Sequence, residues 1–410
     1  MKFQNLKKYL FKNKYQVIVF FFLLLVFATA FRLVENYSEI IDEYYHFGQI
    51  TRFLGHDFSL EPGLSTLPGF HLLVAFILQL LGEKGLPWAR FVTFMFNLLT
   101  IPVFYAAARK IEEKAAFVRT MQFAFLPIIF PYYPLVYTDI FSLLLVFCAL
   151  FLALSKKYYL SGIVATLSIA VRQNNIIWLM FINLLTFISE SGLKINVQTV
   201  RNHIKRSLTF ILGALLFILF VLVNHGFATG AKSFQHVTFL NMGNLYFFLF
   251  SFSIIMLPQS LASFPKIVAF LRKEKKSILL IFIFFLLLLL SFQNSHPWNQ
   301  YTYFLRNKIL VAAASSPPLK LLYFIPIVYG FIMFFIVRLQ KKEYYLLYPF
   351  IILYLLPSWL VEVRYLFIPF AMYLLFRKRL SDRVEKVTAA YFFTLSIVFF
   401  WGLVNWVFFL

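Results

Sequence analysis

Residues 38–71 read SEIIDEYYHFGQITRFLGHDFSLEPGLSTLPGFH, and nearly everything on either side of this stretch is strongly apolar. At its centre, the run Asp42-Glu43-Tyr44-Tyr45-His46 places two carboxylates and an imidazole directly after the first apolar segment. A charged group at the edge of a membrane is costly unless it meets water or a partner, and such groups are often functional. We therefore predict that the active site lies in this stretch.

The composition of the 410 residues decides the class of protein. Hydrophobic residues make up 61% of the chain, against about 45–50% in a soluble domain. Runs such as Ile278 to Leu290 contain no polar side chain, which excludes the alternation of a membrane β-barrel. We predict an all-α polytopic membrane protein, with residues 1–410 forming a single transmembrane domain.

The formal net charge of +22 comes mostly from short basic runs between apolar segments. Such runs are typical of cytoplasmic loops, so we interpret them as topology signals and expect no nucleic-acid partner. The one cysteine, Cys148, excludes an intrachain disulfide.

A membrane-spanning helix needs a run of about 20 apolar residues. The segment 68–82 is apolar but short, so it either spans thinly or returns to the side from which it came. If it returns, the cytoplasmic side holds 28 Lys and Arg against 7 acidic residues, and the opposite side holds 10 against 9. This asymmetry favours thirteen spans with a cytoplasmic N-terminus, a first non-cytoplasmic loop at 35–85, and 68–82 as a juxtamembrane or re-entrant helix. The predicted spans are 15–34, 86–108, 117–135, 136–154, 158–171, 174–189, 207–224, 244–270, 277–293, 317–337, 344–358, 360–376 and 388–409.

Residues 39–54 have helical periodicity, and Glu39, Asp42, Glu43, His46 and Gln49 share one face. This pattern predicts an amphipathic helix on the membrane surface. From the pattern alone, the polar face either meets water only or meets a substrate.

The motifs around this helix resemble those of the α-1,2-glucosyltransferases that add the last glucose to the dolichol-linked oligosaccharide for N-glycosylation. The resemblance begins with Asp42-Glu43, His46 and Gln49, and it continues in the same order along nearly the whole chain. Asn299 stands where the family has an arginine, so a relative with another lipid-linked substrate stays open. The further motifs are Pro62, Thr66 and Pro68-Gly69, Tyr137-Thr138-Asp139, Arg172 to Trp178, Gly230 with Lys232-Ser233 and His236-Val237, His296-Pro297, Tyr301-Thr302, and Glu362 with Arg364-Tyr365.

The resemblance implies an inverting GT-C-type enzyme that takes glucose from dolichyl phosphate glucose. Inversion in one displacement needs a base on the acceptor hydroxyl, and a carboxylate in this role contributes about 10²–10⁴-fold. The family pattern favours Asp42 as the base, although spacing alone does not choose between Asp42 and Glu43. The phosphate leaving group needs cations, and Arg364 is the first candidate. The other expected substrate-binding residues are His46, Gln49, Thr66, Asp139, Arg172, Gln173, Lys232, His236, His296, Arg306, Glu362 and Tyr365.

Each of these residues also has a structural interpretation: Arg364 as a partner of Glu362 only, Arg172 as a helix-end cation, and each histidine as a packing residue. No metal or other cofactor is expected, because the chain has no metal-binding motif, although Asp42, Glu43 and Glu39 could gather a weak divalent cation.

The expected partners are a polyprenyl-phosphate sugar, a lipid-linked oligosaccharide acceptor and membrane lipids. The location is the endoplasmic reticulum membrane in a eukaryote or the plasma membrane in a prokaryote. Three alternatives remain: a mannosyl- or hexosyltransferase with another donor, a lipid flippase or transporter, and a non-catalytic subunit.

Overall fold

The computed structural model describes residues 14–192, 196–230, 240–273 and 275–410. The described part of the chain consists of helices and loops and contains no β-strand. Its core is built largely from buried Phe, Tyr, Leu and Ile side chains, while many other large apolar side chains face outward. An apolar exterior around an apolar core is the pattern of an integral membrane protein.

The residues that the structure describes form eighteen α-helices. Eight of them lie within residues 14–192, and the loop that was predicted to carry the active site holds two of these. They are α1 (Lys14–Val34), α2 (Glu43–Leu54), α3 (Gly69–Leu81), α4 (Leu86–Ile111), α5 (Glu113–Ala124), α6 (Thr138–Leu154), α7 (Tyr158–Val171) and α8 (Ile176–Ser191).

Ten further α-helices follow, interrupted by short 3₁₀ turns at Pro297–Gln300, Lys342–Leu346 and Val363–Leu366. They are α9 (Val197–Arg206), α10 (Leu208–Asn224), α11 (Gly243–Ile255), α12 (Leu257–Lys273), α13 (Lys275–Ser291), α14 (Leu305–Ser315), α15 (Pro317–Ile336), α16 (Leu347–Leu355), α17 (Phe367–Phe376) and α18 (Asp382–Val404).

Every predicted span overlaps at least one helix, but the predicted number of thirteen is not confirmed. Within the described residues, α4, α15 and α18 are long and apolar enough to cross a membrane on length and composition. The total rises to five if the bent pairs α9 with α10 and α11 with α12 each form one span. The other apolar helical stretches that were described are shorter, such as Phe21–Val34 within α1 and Gly69–Leu81.

The predicted continuous span 117–135 is wrong in detail. Helix α5 ends at Ala124, and the chain then runs without an α-helix to Tyr137, buried throughout. Pro127, Pro131 and Pro134 explain the break, because each lacks a backbone N–H and disrupts a helix interior. Non-helical backbone is tolerated at membrane depth where protein buries it, and here it leads directly into Tyr137-Thr138-Asp139, one of the motifs of the predicted site.

The predicted span 244–270 is also not a single straight helix. Helices α11 and α12 meet at an angle of 94° next to Met256. Pro258, the second residue of α12, accounts for the break, because a proline lacks the backbone N–H and its ring clashes with the preceding helical turn.

The segment predicted to return beside the membrane contains α3, which packs against α2, α4 and α7. Its 13 residues extend about 20 Å, which is shorter than the hydrocarbon core of about 30 Å.

Candidate active site

A cavity of about 130 Å³ opens where α2, the loop 63–66, the start of α6 and the Arg364 turn come together. Both polar and apolar groups line it, and they come from six separate parts of the chain. The lining residues are Asp42, Tyr45, His46, Gly63, Leu64, Ser65, Thr66, Thr138, Arg172, His296, Trp298, Leu360, Arg364 and Tyr365.

Asp42 is the residue immediately before α2 and the most accessible acid of the site. Its side chain is 38% exposed, and its Oδ2 atom accepts a hydrogen bond of 2.6 Å from Nη2 of Arg364. Its backbone N–H donates to the hydroxyl of Tyr137 at 3.1 Å. The carboxylate is therefore fixed at its base and open towards the cavity.

Arg364 gathers three acidic side chains around one guanidinium. Besides Asp42, it contacts Glu362 at 3.3 Å and Asp139 at 3.9 Å. Its guanidinium also lies over the ring of Tyr137, 5.1 Å from the centroid. The interpretation of Arg364 as a partner of Glu362 alone is therefore wrong.

Arg172 is the second cation of the cavity. It forms an ion pair with Asp139 and lies 5.8 Å from the centroid of the Tyr365 ring. Because Asp139 is buried and contacts both arginines, it holds the two guanidinium groups on the same side of the cavity. Two neighbouring guanidinium groups are well suited to bind a phosphate.

Glu362 and Arg306 stand behind this pair and do not line the cavity. They form a buried ion pair of 2.8 Å, and the guanidinium of Arg306 lies over Phe304. The Glu362 backbone N–H donates to Oδ1 of Asn244. The side-chain amide of Asn299 donates a hydrogen bond to the carbonyl of the neighbouring Val361 and accepts one from the Val361 backbone N–H. These contacts fix the turn that presents Arg364.

His46 lines the cavity next to a second histidine. Its Nδ1 atom lies 2.9 Å from Nε2 of His71, and the two rings are stacked. Burial lowers the pKa of His46 well below its usual value, and His71, Arg364 and Arg172 lower it further. His46 is therefore neutral at physiological pH and serves as a hydrogen-bonding group.

His296 is buried at the edge of the cavity and packs against Trp359 at 4.6 Å between ring centroids. Its Nδ1 atom accepts a hydrogen bond from the backbone N–H of Trp298. His296 and Trp298 both line the cavity, and they give it an aromatic surface on which a sugar ring can stack.

Two predicted glutamines hold loops instead of lining the cavity. Gln49 bonds the backbone of Ser59 and Glu61. Gln173 donates to the carbonyls of Ser65 and Phe227. Thr66 does line the cavity, and its hydroxyl is buried with no hydrogen-bond partner among the described residues.

Glu43 does not reach the cavity, because both of its carboxylate oxygens bind the fully buried Arg90. Glu43, His46 and Gln49 are all buried, so the interpretation of their face as a solvated one is wrong. The helical period correctly placed these residues on one face of α2, but it could not show that other parts of the chain bury that face. With its oxygens occupied by Arg90, Glu43 is also unable to join Asp42 in binding a cation.

The remaining predicted residues, Lys232 and His236, lie outside the described residues. The sequence analysis did not single out Arg90 and gave Tyr137 no role of its own. The sequence could have indicated Arg90, because it is an isolated arginine inside an apolar run. Such residues are usually paired and functional.

Comparison with known proteins identifies the family from most of the chain. The model of the DIE2/ALG10 family matches residues 36–195 and 188–375. These matched ranges include the whole cavity lining.

Curated relatives match the chain in part. A protein of Candida glabrata named Dol-P-Glc:Glc(2)Man(9)GlcNAc(2)-PP-Dol alpha-1,2-glucosyltransferase is 28% identical over 232 residues, covering 50% of this chain and 44% of that protein. Proteins with the same name are 27% identical in Debaryomyces hansenii, covering 53% of this chain and 54% of the relative, and 25% identical in Rattus norvegicus, covering 60% and 62%. The matches thus span about half the length of these relatives.

Among solved structures, apo ArnT from Cupriavidus metallidurans matches with a TM-score of 0.49 and 16% identity, covering 96% of this chain and 77% of that one.

Proposed function

The chain belongs to the DIE2/ALG10 family, and on that premise we propose that it is an inverting glycosyltransferase. The proposed reaction moves glucose from dolichyl phosphate β-glucose to a lipid-linked oligosaccharide and forms an α-1,2 linkage. The observation that carries the proposal is the cavity in which the Asp42 carboxylate meets the guanidinium groups of Arg364 and Arg172. The donor and the linkage follow from the names of the curated relatives.

The acceptor hydroxyl attacks C1 of the glucose as the bond from C1 to the phosphate oxygen breaks. Asp42 takes the proton of that hydroxyl, because its carboxylate is the accessible acid of the cavity. His46 and Thr66 lie beside it and supply polar groups for the sugar hydroxyls.

The leaving dolichyl phosphate gains one negative charge, and Arg364 with Arg172 stabilises it. Arg364 binds Asp42 at 2.6 Å. A phosphate that draws Arg364 towards itself frees the Asp42 carboxylate to accept a proton. Donor binding thereby prepares the base.

The membrane arrangement forms part of the proposal. We take the fold to be of the GT-C type, with thirteen spans, a cytoplasmic N-terminus and the cavity on the non-cytoplasmic face. We also propose that the chain lies in the endoplasmic reticulum membrane if the cell is eukaryotic, as the role of the family leads us to expect. The charge asymmetry of the loops supports this orientation.

The test uses the purified full chain with a radiolabelled donor and a lipid-linked oligosaccharide. Dolichyl phosphate glucose and dolichyl phosphate mannose are supplied in parallel, and the product is digested with a glucosidase specific for α linkages. We expect transfer of glucose into a product that the α-glucosidase cleaves. Transfer of mannose alone would overturn the donor, and a product resistant to the α-glucosidase would overturn inversion.

A further inference from the structure

Arg90, the fifth residue of α4, is fully buried and forms hydrogen bonds with the segment that leads to Asp42. Its Nη1 atom donates to the carbonyl of Val34, the last residue of α1, and to that of Tyr37 at 2.8 Å. Its Nη2 atom donates to the carbonyl of Ser38 at 2.9 Å. A guanidinium presents five donors in a rigid fork, so one side chain fixes this turn from several directions.

The same guanidinium binds Glu43 in a bidentate pair, with Nε to Oε1 at 2.9 Å and Nη2 to Oε2 at 2.6 Å. The Glu43 oxygens also accept backbone N–H groups from Ile40 and Val136. Glu43 therefore joins three parts of the chain: the turn before α2, the arginine on α4 and the non-helical segment before α6.

Tyr137 completes the enclosure on the cavity side. Its hydroxyl donates to the carbonyl of Ile40 at 2.9 Å and accepts the backbone N–H of Asp42 at 3.1 Å. Residues 40 and 42 are thus both bound to one oxygen atom, and residue 41 is left to turn between them.

That intervening residue, Ile41, has a left-handed backbone with φ of 56°. A β-branched side chain rarely adopts this conformation, because its Cβ crowds the following carbonyl oxygen. Backbone strain of this kind persists where the surrounding structure imposes it, and it is concentrated at active sites. Arg90, Glu43 and Tyr137 supply the surrounding bonds.

We propose that Arg90, Glu43 and Tyr137 are positioning residues that hold the left-handed turn at Ile41 and so direct the Asp42 carboxylate into the cavity. The inference rests on the proposed function, since it assigns these residues to the placement of the proposed base. Relaxation of the turn would rotate Asp42 away from the reacting hydroxyl. A displacement of about 1 Å in a reacting group costs about 10²-fold in rate.

The test compares Arg90→Lys with Arg377→Lys in the purified full chain. Arg377 is the matched control because it is fully buried and forms a bidentate pair with Glu385, bound among α5, α17 and α18, away from the cavity lining. A lysine lacks the planar fork and cannot span both oxygens of its glutamate. We expect a lower Tm in both variants. We expect kcat to fall by about 10²-fold in Arg90→Lys only.

The donor KM distinguishes a positioning role of Arg90 from a general loss of structure in the variant. We expect the donor KM of Arg90→Lys to change less than its kcat, because the arginines that face the phosphate lie outside the Arg90 contacts. A second, milder variant is Tyr137→Phe, which keeps the ring under Arg364 but removes the hydroxyl. Its control is Tyr329→Phe, which removes a hydroxyl bonded to the carbonyl of Ser260, outside the cavity lining.

Equal kcat in Arg90→Lys and Arg377→Lys, or in Tyr137→Phe and Tyr329→Phe, would overturn the positioning role. If Arg90→Lys does not fold, the tyrosine pair decides. A wild type that transfers mannose but not glucose overturns only the proposed donor, and the variants are then compared on mannose transfer. A wild type that transfers neither sugar overturns the proposed function and the positioning role with it.

Discussion

Nη2 of Arg364 lies 2.6 Å from Oδ2 of Asp42, although 322 positions separate the two residues in the chain. The proposed base and the proposed phosphate-binding cation therefore form one ion pair. A phosphate that enters the cavity competes with Asp42 for this guanidinium. This competition links donor binding to the release of the base.

Arg364→Gln should weaken donor binding. A hydrogen bond to a charged group contributes about 1.5–3 kcal/mol, so we expect kcat/KM for the donor to fall by about 10–100-fold. Steady-state kinetics over a range of dolichyl phosphate glucose concentrations measures the change. Arg52→Gln is the control, because Arg52 pairs with Asp57 and Glu61 outside the cavity lining. Equal kcat/KM values for the donor in the two variants would contradict the role of Arg364 in binding the phosphate.

Lys232→Gln should raise the donor KM. The ion pairs described around the cavity balance Arg172, Arg306 and Arg364 against Asp42, Asp139 and Glu362, so a bound phosphate adds a negative charge that needs another cation.

Lys232 lies outside the described residues. Gly230, the last residue described before it, packs against Leu64 of the cavity lining. Gly230 has φ of 78°, and a Cβ there would overlap the carbonyl oxygen of Leu64. Lys84→Gln, at an exposed lysine, is the control. An unchanged donor KM in Lys232→Gln would exclude Lys232 as that cation.

Ile41→Gly should be more stable than Ile41→Ala. Both variants lose the isoleucine side chain, but only glycine relieves the left-handed strain at φ of 56°, which costs about 1–2 kcal/mol in other residues. The order should reverse at Ile50, a buried residue inside α2, where alanine favours the helix. Thermal unfolding in detergent ranks the four variants. An alanine variant at position 41 that is at least as stable as the glycine variant would show that no strain is held there.

Acidification should destabilise the protein through His46. Because burial, above all, keeps the folded-state pKa of His46 well below 6.5, the unfolded chain binds the extra proton as the pH falls below that value. The stabilisation is complete above pH 6.5 and falls by up to about 1.4 kcal/mol per pH unit below it. His46→Asn should reduce the pH dependence of Tm but not abolish it, because burial also lowers the pKa of the neighbouring His71, to about 3. A wild-type Tm independent of pH between 7.5 and 5.5 would contradict this.

The sequence predicted the helices well where apolar runs were long and held a single interior proline, as in α4 and α15. It failed where prolines broke an apolar run, at 125–137 and at Pro258. Hydropathy measures only how apolar a segment is, and a buried non-helical segment is as apolar as a helix.

For the site, motif resemblance indicated Asp42, Arg172 and Arg364, which the fold brings to one cavity. Periodicity alone gave the wrong environment for Glu43. Its partner Arg90 lies 47 residues further along the chain, and a helical period carries no information about such a distant contact. The strain at Ile41 was equally hidden, because it depends on bonds from three separate segments.

The most direct test of Asp42 as the base is the turnover of Asp42→Asn at saturating donor and acceptor. Asparagine keeps the size of the side chain but cannot accept the proton, so we predict a loss in kcat of about 10²–10⁴-fold. The donor KM should not rise, because Arg364 loses a competing carboxylate. Asp57→Asn, at a carboxylate outside the cavity, should turn over like wild type. Turnover of Asp42→Asn at the wild-type rate would contradict the role of Asp42 as the base.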